Sequence, residues 1–232
     1  MHYHYKTIGA LAAASALVAG TAKADIEYNL HTGYSSEYLF RGLNLGNDLI
    51  EAGLDVSGTW NGVGLSAGAW FGSFTNAGQN FEELDLYGEV SKDFGPVKAA
   101  IGYIAYTYPN PHSDNYQEVY FGLSHDFGFV AASLKYFWDV KGDNDGYTEF
   151  GLTRSFTLSP CLTLNLQSNI GYLLEKNVAT AWTSKVSLDW GFAEHAKLSP
   201  FIMASVALTD CDTAYSDSKN QLVGGCMLNV TF

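Results

Sequence analysis

The chain ends in Cys226-Met227-Leu228-Asn229-Val230-Thr231-Phe232, and the reading of this stretch decides the fold. Cys226, Leu228 and Val230 recur at every second position and share one face of an extended strand, with Asn229 and Thr231 on the other. A strand of this kind that ends on an aromatic residue is how outer-membrane β-barrels close, with the apolar face on lipid and the alternate face on a polar interior. Many antiparallel strands alternate in this way, so the fold requires the pattern to repeat along the chain.

Working backward from Phe232, twelve segments of period 2 are bounded by turn residues. They begin near Ile26, Leu49, Gly64, Glu82, Val97, Tyr116, Val130, Tyr147, Leu162, Thr180, Leu198 and Asn220. Most run about 10 to 14 residues, where a transmembrane strand needs about 9 to 11 and a soluble strand averages about 5 to 6. Strands two, four, six and eight are followed by tight turns at Asn61-Gly62, Phe94-Gly95-Pro96, Asp126-Phe127-Gly128 and Ser159-Pro160, each with Gly or Pro. Odd-numbered strands lead into polar links such as Pro109 to Asn115, Gly142 to Gly146 and Asp210 to Lys219. This alternation predicts short periplasmic turns on one rim and longer extracellular loops on the other. The link from Phe192 to Lys197 is long for its rim. The expectation is an all-β, antiparallel up-and-down transmembrane barrel of about 12 strands over residues 25–232. A secreted β-sandwich or a soluble ligand-binding barrel is the alternative, and strand length and the charged, Tyr-rich polar face weigh against it.

The N-terminus reads as an export signal over residues 1–24. Lys6 supplies the positive region, Ile8 to Ala19 is apolar, and Ala22-Lys23-Ala24 is a small-residue cleavage site. The apolar run is about 12 residues, too short for a spanning helix of about 20. Loss of Lys6 and Lys23 leaves ten basic against 24 acidic residues, a formal charge of −14 that makes nucleic acid an unsuitable partner. Cys161, Cys211 and Cys226 are an odd set for an exported chain. The expected register places Cys226 opposite Met203, which argues against a bridge to Cys211, and the spacing suits no zinc site.

Side-chain parity then assigns the lumen. It places Glu27, His31, Glu37 and Arg41 inside from the first strand, Glu51 and Asp55 from the second, and Glu83, Asp85, Tyr87 and Glu89 from the fourth. Glu118 follows from the sixth strand, Lys135 and Asp139 from the seventh, Glu149 from the eighth, and Lys185 and Asp189 from the tenth. With Lys98 and Lys141 added, the wall carries 11 acidic against 5 basic residues, a net of −6. Trp70, Tyr106, Tyr120 and Phe137 also point inward. Arg154 falls on the lipid face near the lower rim, where its long stem can carry the charge to the interface.

The stretch Ser35-Ser36-Glu37-Tyr38-Leu39-Phe40-Arg41-Gly42 resembles the opening strand of the TorF-family porins, which are grouped by a Tyr-x-Phe-Arg-Gly motif just inside the mature N-terminus. The likeness continues through Gly53-Leu54-Asp55-Val56 and from Gly64 to Phe74, where Trp70 stands in a Gly-rich strand. It covers about 50 residues. The resemblance implies an outer-membrane porin without catalytic residues. Within the motif, Arg41 is expected to pair with Glu37, Glu51 or Asp55, and the structural role of closing the first hairpin outweighs a transport role.

Catalytic and metal chemistry find little support. Ser124 and His125 are adjacent and so fall on opposite faces of a strand. His112 and His195 lie in links, and His31 stands isolated in the lumen. Asp143-Asn144-Asp145-Gly146 has Lys141 and Leu152 where a calcium loop needs acids. Glu82, Glu83 and Asp85 suit wet lumen lining better than a cation site. No cofactor is implied. The expected function is a narrow, cation-preferring channel for small hydrophilic solutes, in contact with outer-membrane lipid and delivered by the outer-membrane assembly machinery through Phe232. The alternatives are a barrel closed by its own Tyr, Trp and ion pairs, whose loops bind surface partners, and an outer-membrane enzyme.

Overall fold

Period-2 alternation carries through to twelve antiparallel strands of 9 to 18 residues. The structure is a computed structural model that describes residues 26–109, 115–142, 145–208 and 219–232. The strands are β1 (Glu27–Phe40), β2 (Leu43–Trp60), β3 (Val63–Asn76), β4 (Gln79–Asp93), β5 (Lys98–Thr107), β6 (Tyr116–Asp126), β7 (Ala131–Asp139), β8 (Tyr147–Ser159), β9 (Leu162–Leu173), β10 (Val178–Ala193), β11 (Ala196–Ala207) and β12 (Gln221–Thr231). Each pairs with its neighbours in sequence, and β12 returns to β1 to close the barrel. The expected signal segment, His112, Asp143, Asn144 and Cys211 lie outside the described residues.

Closure rests on the terminal strand. β12 pairs with β1 from Asn29↔Thr231 to Ser35↔Gly225. Phe232 N donates to Tyr28 O at 2.9 Å and Tyr28 N to Phe232 O at 3.2 Å, so the last residue seals the seam at the rim of short turns. Both edges of the sheet are paired along this stretch, so no backbone edge meets lipid there.

The outer surface is apolar around the whole wall. Leu86, Ile101, Phe121, Leu134, Val186 and Ile202 are exposed on six different strands. A soluble monomer seldom exposes a contiguous apolar patch beyond a few hundred Å², and here such a surface encircles the barrel. Trp60, Phe94, Phe127, Phe129 and Phe192 gather at the short-turn rim, where a membrane barrel carries an aromatic girdle. Arg154 sits near this rim with its guanidinium 4.7 Å from the Phe156 ring centroid and bonded to the Phe129 carbonyl.

Several boundaries differ from those expected. β2 begins at Leu43 rather than near Leu49, and β4 at Gln79 rather than near Glu82. The first two outer links are therefore two-residue turns, Arg41-Gly42 and Ala77-Gly78, with both residues of each at positive φ as a type I′ hairpin demands. The link after β10 is also tight, Glu194-His195 only, because β11 starts at Ala196. That earlier start shifts the last hairpin: Cys226 lies opposite Pro200, and Met203 opposite Val223. Cys161 and Cys226 are free thiols.

Candidate functional site

The bore is interrupted by its own first hairpin. β1 stays paired with β2 to Phe40↔Leu43 but has left β12 after Ser35. β2 keeps Asn47↔Thr75 on its other side and then slips register before Ile50↔Ser73, with Asp48 at φ 55°. A bulge of this kind bends a strand and raises its twist. Residues 36–48 thus form a ribbon released from one neighbour and kinked against the other.

The contacts of the tip show that it folds inward. Arg41 reaches Glu118 on β6, five strands away around one arc. Gly42 lies so close to β10, three strands away around the other arc, that a Cβ on it would be 2.3 Å from Ala181 Cβ. Phe40 is 0 % exposed and Arg41 8 %, whereas the neighbouring turn Ala77-Gly78 is open to solvent. The tip spans the outer half of the bore.

Each residue of Tyr38-x-Phe40-Arg41-Gly42 has a physical task in this arrangement. The Tyr38 hydroxyl donates to Glu83 at 3.1 Å, and its ring packs at 5.0 Å on Phe74 and 5.6 Å on Trp70. Arg41 makes a fork on Glu118, Nη1 to Oε1 at 3.0 Å and Nη2 to Oε2 at 2.8 Å. Its guanidinium carbon lies 4.2 Å from the ring centroid of Tyr147, 4.5 Å from Phe137 and 5.0 Å from Phe40. Tyr106 donates to the same Glu118 oxygen at 2.9 Å. Charge-assisted paired bonds and aromatic faces are the two contacts a guanidinium makes best. Beside them, Glu83 also accepts from Tyr108 at 3.1 Å, and Asp85 is buried with Oδ1 unbonded among the described residues.

Below the hairpin the bore changes character. Asp55 accepts from Tyr87 at 2.5 Å and Asn29 at 3.2 Å and faces His31 at 3.3 Å. Trp70 donates to Glu51 at 2.7 Å, Tyr120 to Glu89 at 2.7 Å and Asn169 to Glu149 at 2.9 Å. Lys135 and Lys185 lie over the rings of Tyr120 and Phe201. The charged groups here are half-buried rather than sealed, the Tyr120 and Phe201 rings are buried beside them, and together they line the path toward the short-turn rim.

A family model described as "Bacterial protein of unknown function (Gcw_chp)" matches residues 19–225. The chain belongs to the Gcw_chp family. No curated protein matches its sequence. Among solved structures it is similar to the COG4313 outer membrane channel from Pseudomonas putida F1, with a TM-score of 0.59 and 9% identity over 92% of this chain and 97% of that one. It is similar also to the NanC porin (TM-score 0.54, 14% identity, 88% and 98% covered) and to the KdgM porin in complex with disordered oligogalacturonate (0.52, 11%, 89% and 99%). At these identities the likeness is one of fold.

The Gcw_chp barrel brings together only part of what parity grouped. Glu83, Asp85 and Glu118 face the sealed outer half, while Glu51, Asp55, Tyr87, Glu89, Lys135, Glu149, Lys185 and Asp189 face the inner half. Glu27 is exposed at the inner rim. Three expectations for the outer rim change. Glu37 bonds Asn44 across the hairpin at 3.0 Å, so Arg41 pairs with Glu118 instead of Glu37, Glu51 or Asp55. Asp139 holds the backbone N–H groups of Lys141 and Gly142 at 2.8 and 3.0 Å in a turn, and Lys141 is exposed beyond the strand. Lower in the bore, His31 is not isolated, because Asp55, opposite Asn29 on the adjacent strand, comes within 3.3 Å of it. Ser124 and His125 pair on separate faces, with His125 against Pro96 and Phe127. Sequence reading marks Tyr38 and Phe40 only as motif residues and Tyr147 only as a strand start, and places none of them in the bore. The available signal was Leu43-Asn44-Leu45-Gly46, whose alternation just after Arg41-Gly42 marks a returning strand.

Proposed function

We propose that this protein is an outer-membrane porin for small hydrophilic solutes, exported by its N-terminal segment and inserted by the outer-membrane assembly machinery through a terminal strand ending at Phe232. The observation that carries this reading is the inner bore. Its charged and polar side chains sit half-buried below a hairpin that is not part of the wall, and such a lining has no packing purpose unless water occupies it. The likeness of the first strand to TorF-family porins supports the same reading. No reaction is assigned to it. The folded-in hairpin supports a second reading, a permanently closed barrel.

Cation preference belongs to the proposal. Glu51, Asp55, Glu89, Glu149 and Asp189 outnumber Lys98, Lys135 and Lys185 along the inner bore, and a narrow acidic wall concentrates cations. The test is planar-bilayer recording of the wild type and of a variant with residues 36–48 replaced by a two-residue turn. The expected outcome is low conductance in the first and steady steps in the second, with a cation-selective zero-current potential that shrinks near 1 M salt, where the Debye length is about 3 Å. Silence from both folded proteins overturns the channel, and anion selectivity overturns the electrostatic reading.

A further inference from the structure

The pocket that holds Arg41 has the composition of a ligand site, and the group it holds belongs to a two-stranded ribbon released from the wall on one side. Glu118 presents two oxygens in one plane, Tyr106 fixes that carboxylate from the side, and the rings of Phe137 and Tyr147 flank the guanidinium at 4.5 and 4.2 Å. All four residues come from β5 to β8, on the wall facing the seam where β1 leaves β12. The wall thus supplies the carboxylate and two of the three flanking rings, and the hairpin supplies the occupant and the Phe40 ring. Nothing in that cage requires that its guanidinium be covalently part of the chain.

We propose that Glu118, Tyr106, Phe137 and Tyr147 form a binding site for solutes bearing a guanidinium group, and that Arg41 is a tethered occupant which such a solute displaces, freeing the hairpin from the bore. The proposal rests on the channel reading for its consequence but not for the site itself. A tethered group competes at an effective concentration of the order of millimolar. Free solute therefore opens the wild type only at high concentration and fills a cage emptied by mutation at a lower one. Planar, forked hydrogen bonding also separates a guanidinium from an ammonium, which is a point charge.

The experiment uses the full-length folded barrel and agmatine as probe, with putrescine as the diamine of the same four-carbon spacer lacking the guanidinium. Binding is read as the rise in unfolding midpoint with ligand, for R41A and for R41A/E118Q. Agmatine is expected to stabilise R41A, with putrescine weaker by about tenfold in effective concentration and the response lost in R41A/E118Q. In bilayers, high agmatine is expected to raise the current of the wild type, whereas R41A, whose hairpin has lost its tether, is expected to conduct without it. If R41A fails to show the heat-modifiable gel mobility of a folded barrel, R41K, which keeps a charge but not the fork, takes its place with the same expected order. No stabilisation of the folded variant, or equal effects of agmatine and putrescine, overturns the site. Agmatine binding with no conductance from any variant upholds the site and removes the channel.

Discussion

Arg41-Gly42 and Ala77-Gly78 are neighbouring hairpin tips on the same rim, built on the same backbone. Their φ values are 45° and 87° in one and 50° and 76° in the other. Yet the first is buried across the bore and the second stands in solvent. The β3–β4 ladder runs unbroken from Val63↔Lys92 to Asn76↔Gln79, whereas β1 abandons β12 at Ser35, six positions before its own turn begins at Arg41. Turn geometry therefore fixes where a hairpin ends and says nothing of where its tip goes. The tip goes where its side chains find partners, and an Arg at the first turn position finds Glu118 where an Ala finds none.

The strongest way to break this contrast is to remove the partner. Glu118→Ala leaves the Arg41 guanidinium buried without its counter-charge, which costs about 3–5 kcal/mol in buried pairs. The expected result is a drop of that order in the urea unfolding free energy of the barrel in vesicles, or release of the hairpin at smaller cost with a rise in conductance. The paired replacement R41M/E118L is expected to stay closed with near wild-type stability, since apolar residues of similar volume often replace a buried ion pair at no loss. A change below about 1 kcal/mol in E118A, with no change in conductance, would show that the pair does not hold the tip.

A finer test compares the two glycines. Gly78→Ala meets nothing within 4 Å and adds only the left-handed backbone strain of about 1–2 kcal/mol. Gly42→Ala carries the same strain and drives a methyl to 2.3 Å from Ala181 Cβ, an overpacking that adds about 1–3 kcal/mol. The double variant G42A/A181G removes the clash but not the strain, so its unfolding free energy is expected to return to the G78A value. Equal losses in G42A and G78A would mean that the tip does not press on β10.

The fold was legible because lipid imposes a rule on every strand. An apolar residue is needed at each second outward position, and runs such as Leu84, Leu86, Gly88 and Val90 obey it independently of what lies across the barrel. The plug was not legible, for the converse reason. Tyr38 and Phe40 share the parity of the lipid-facing Tyr28, Leu30 and Tyr34 and reach the bore only because the ribbon leaves the wall. Parity has no access to a bend that depends on Glu118, five strands distant. Glu118 and Arg41 were each visible as inward charges, while their pairing is a property of the closed barrel.

The smallest expected effect comes from a second ion pair between strands, Lys197 with Asp189 at 3.2 Å near the short-turn rim. Its distance is close to that of Arg41 and Glu118, but 47 % of the Lys197 side chain and 22 % of the Asp189 side chain are exposed, against 2 % and 8 %. Water screens the exposed pair and solvates either partner when the other is lost, so Asp189→Asn is expected to change the unfolding free energy by no more than about 1 kcal/mol. Its conductance should differ from wild type only through the bore charge it removes. If D189N instead destabilised the barrel as strongly as E118A, burial would not be what distinguishes the two pairs, and the closure of the outer half would need a cause other than a desolvated ion pair.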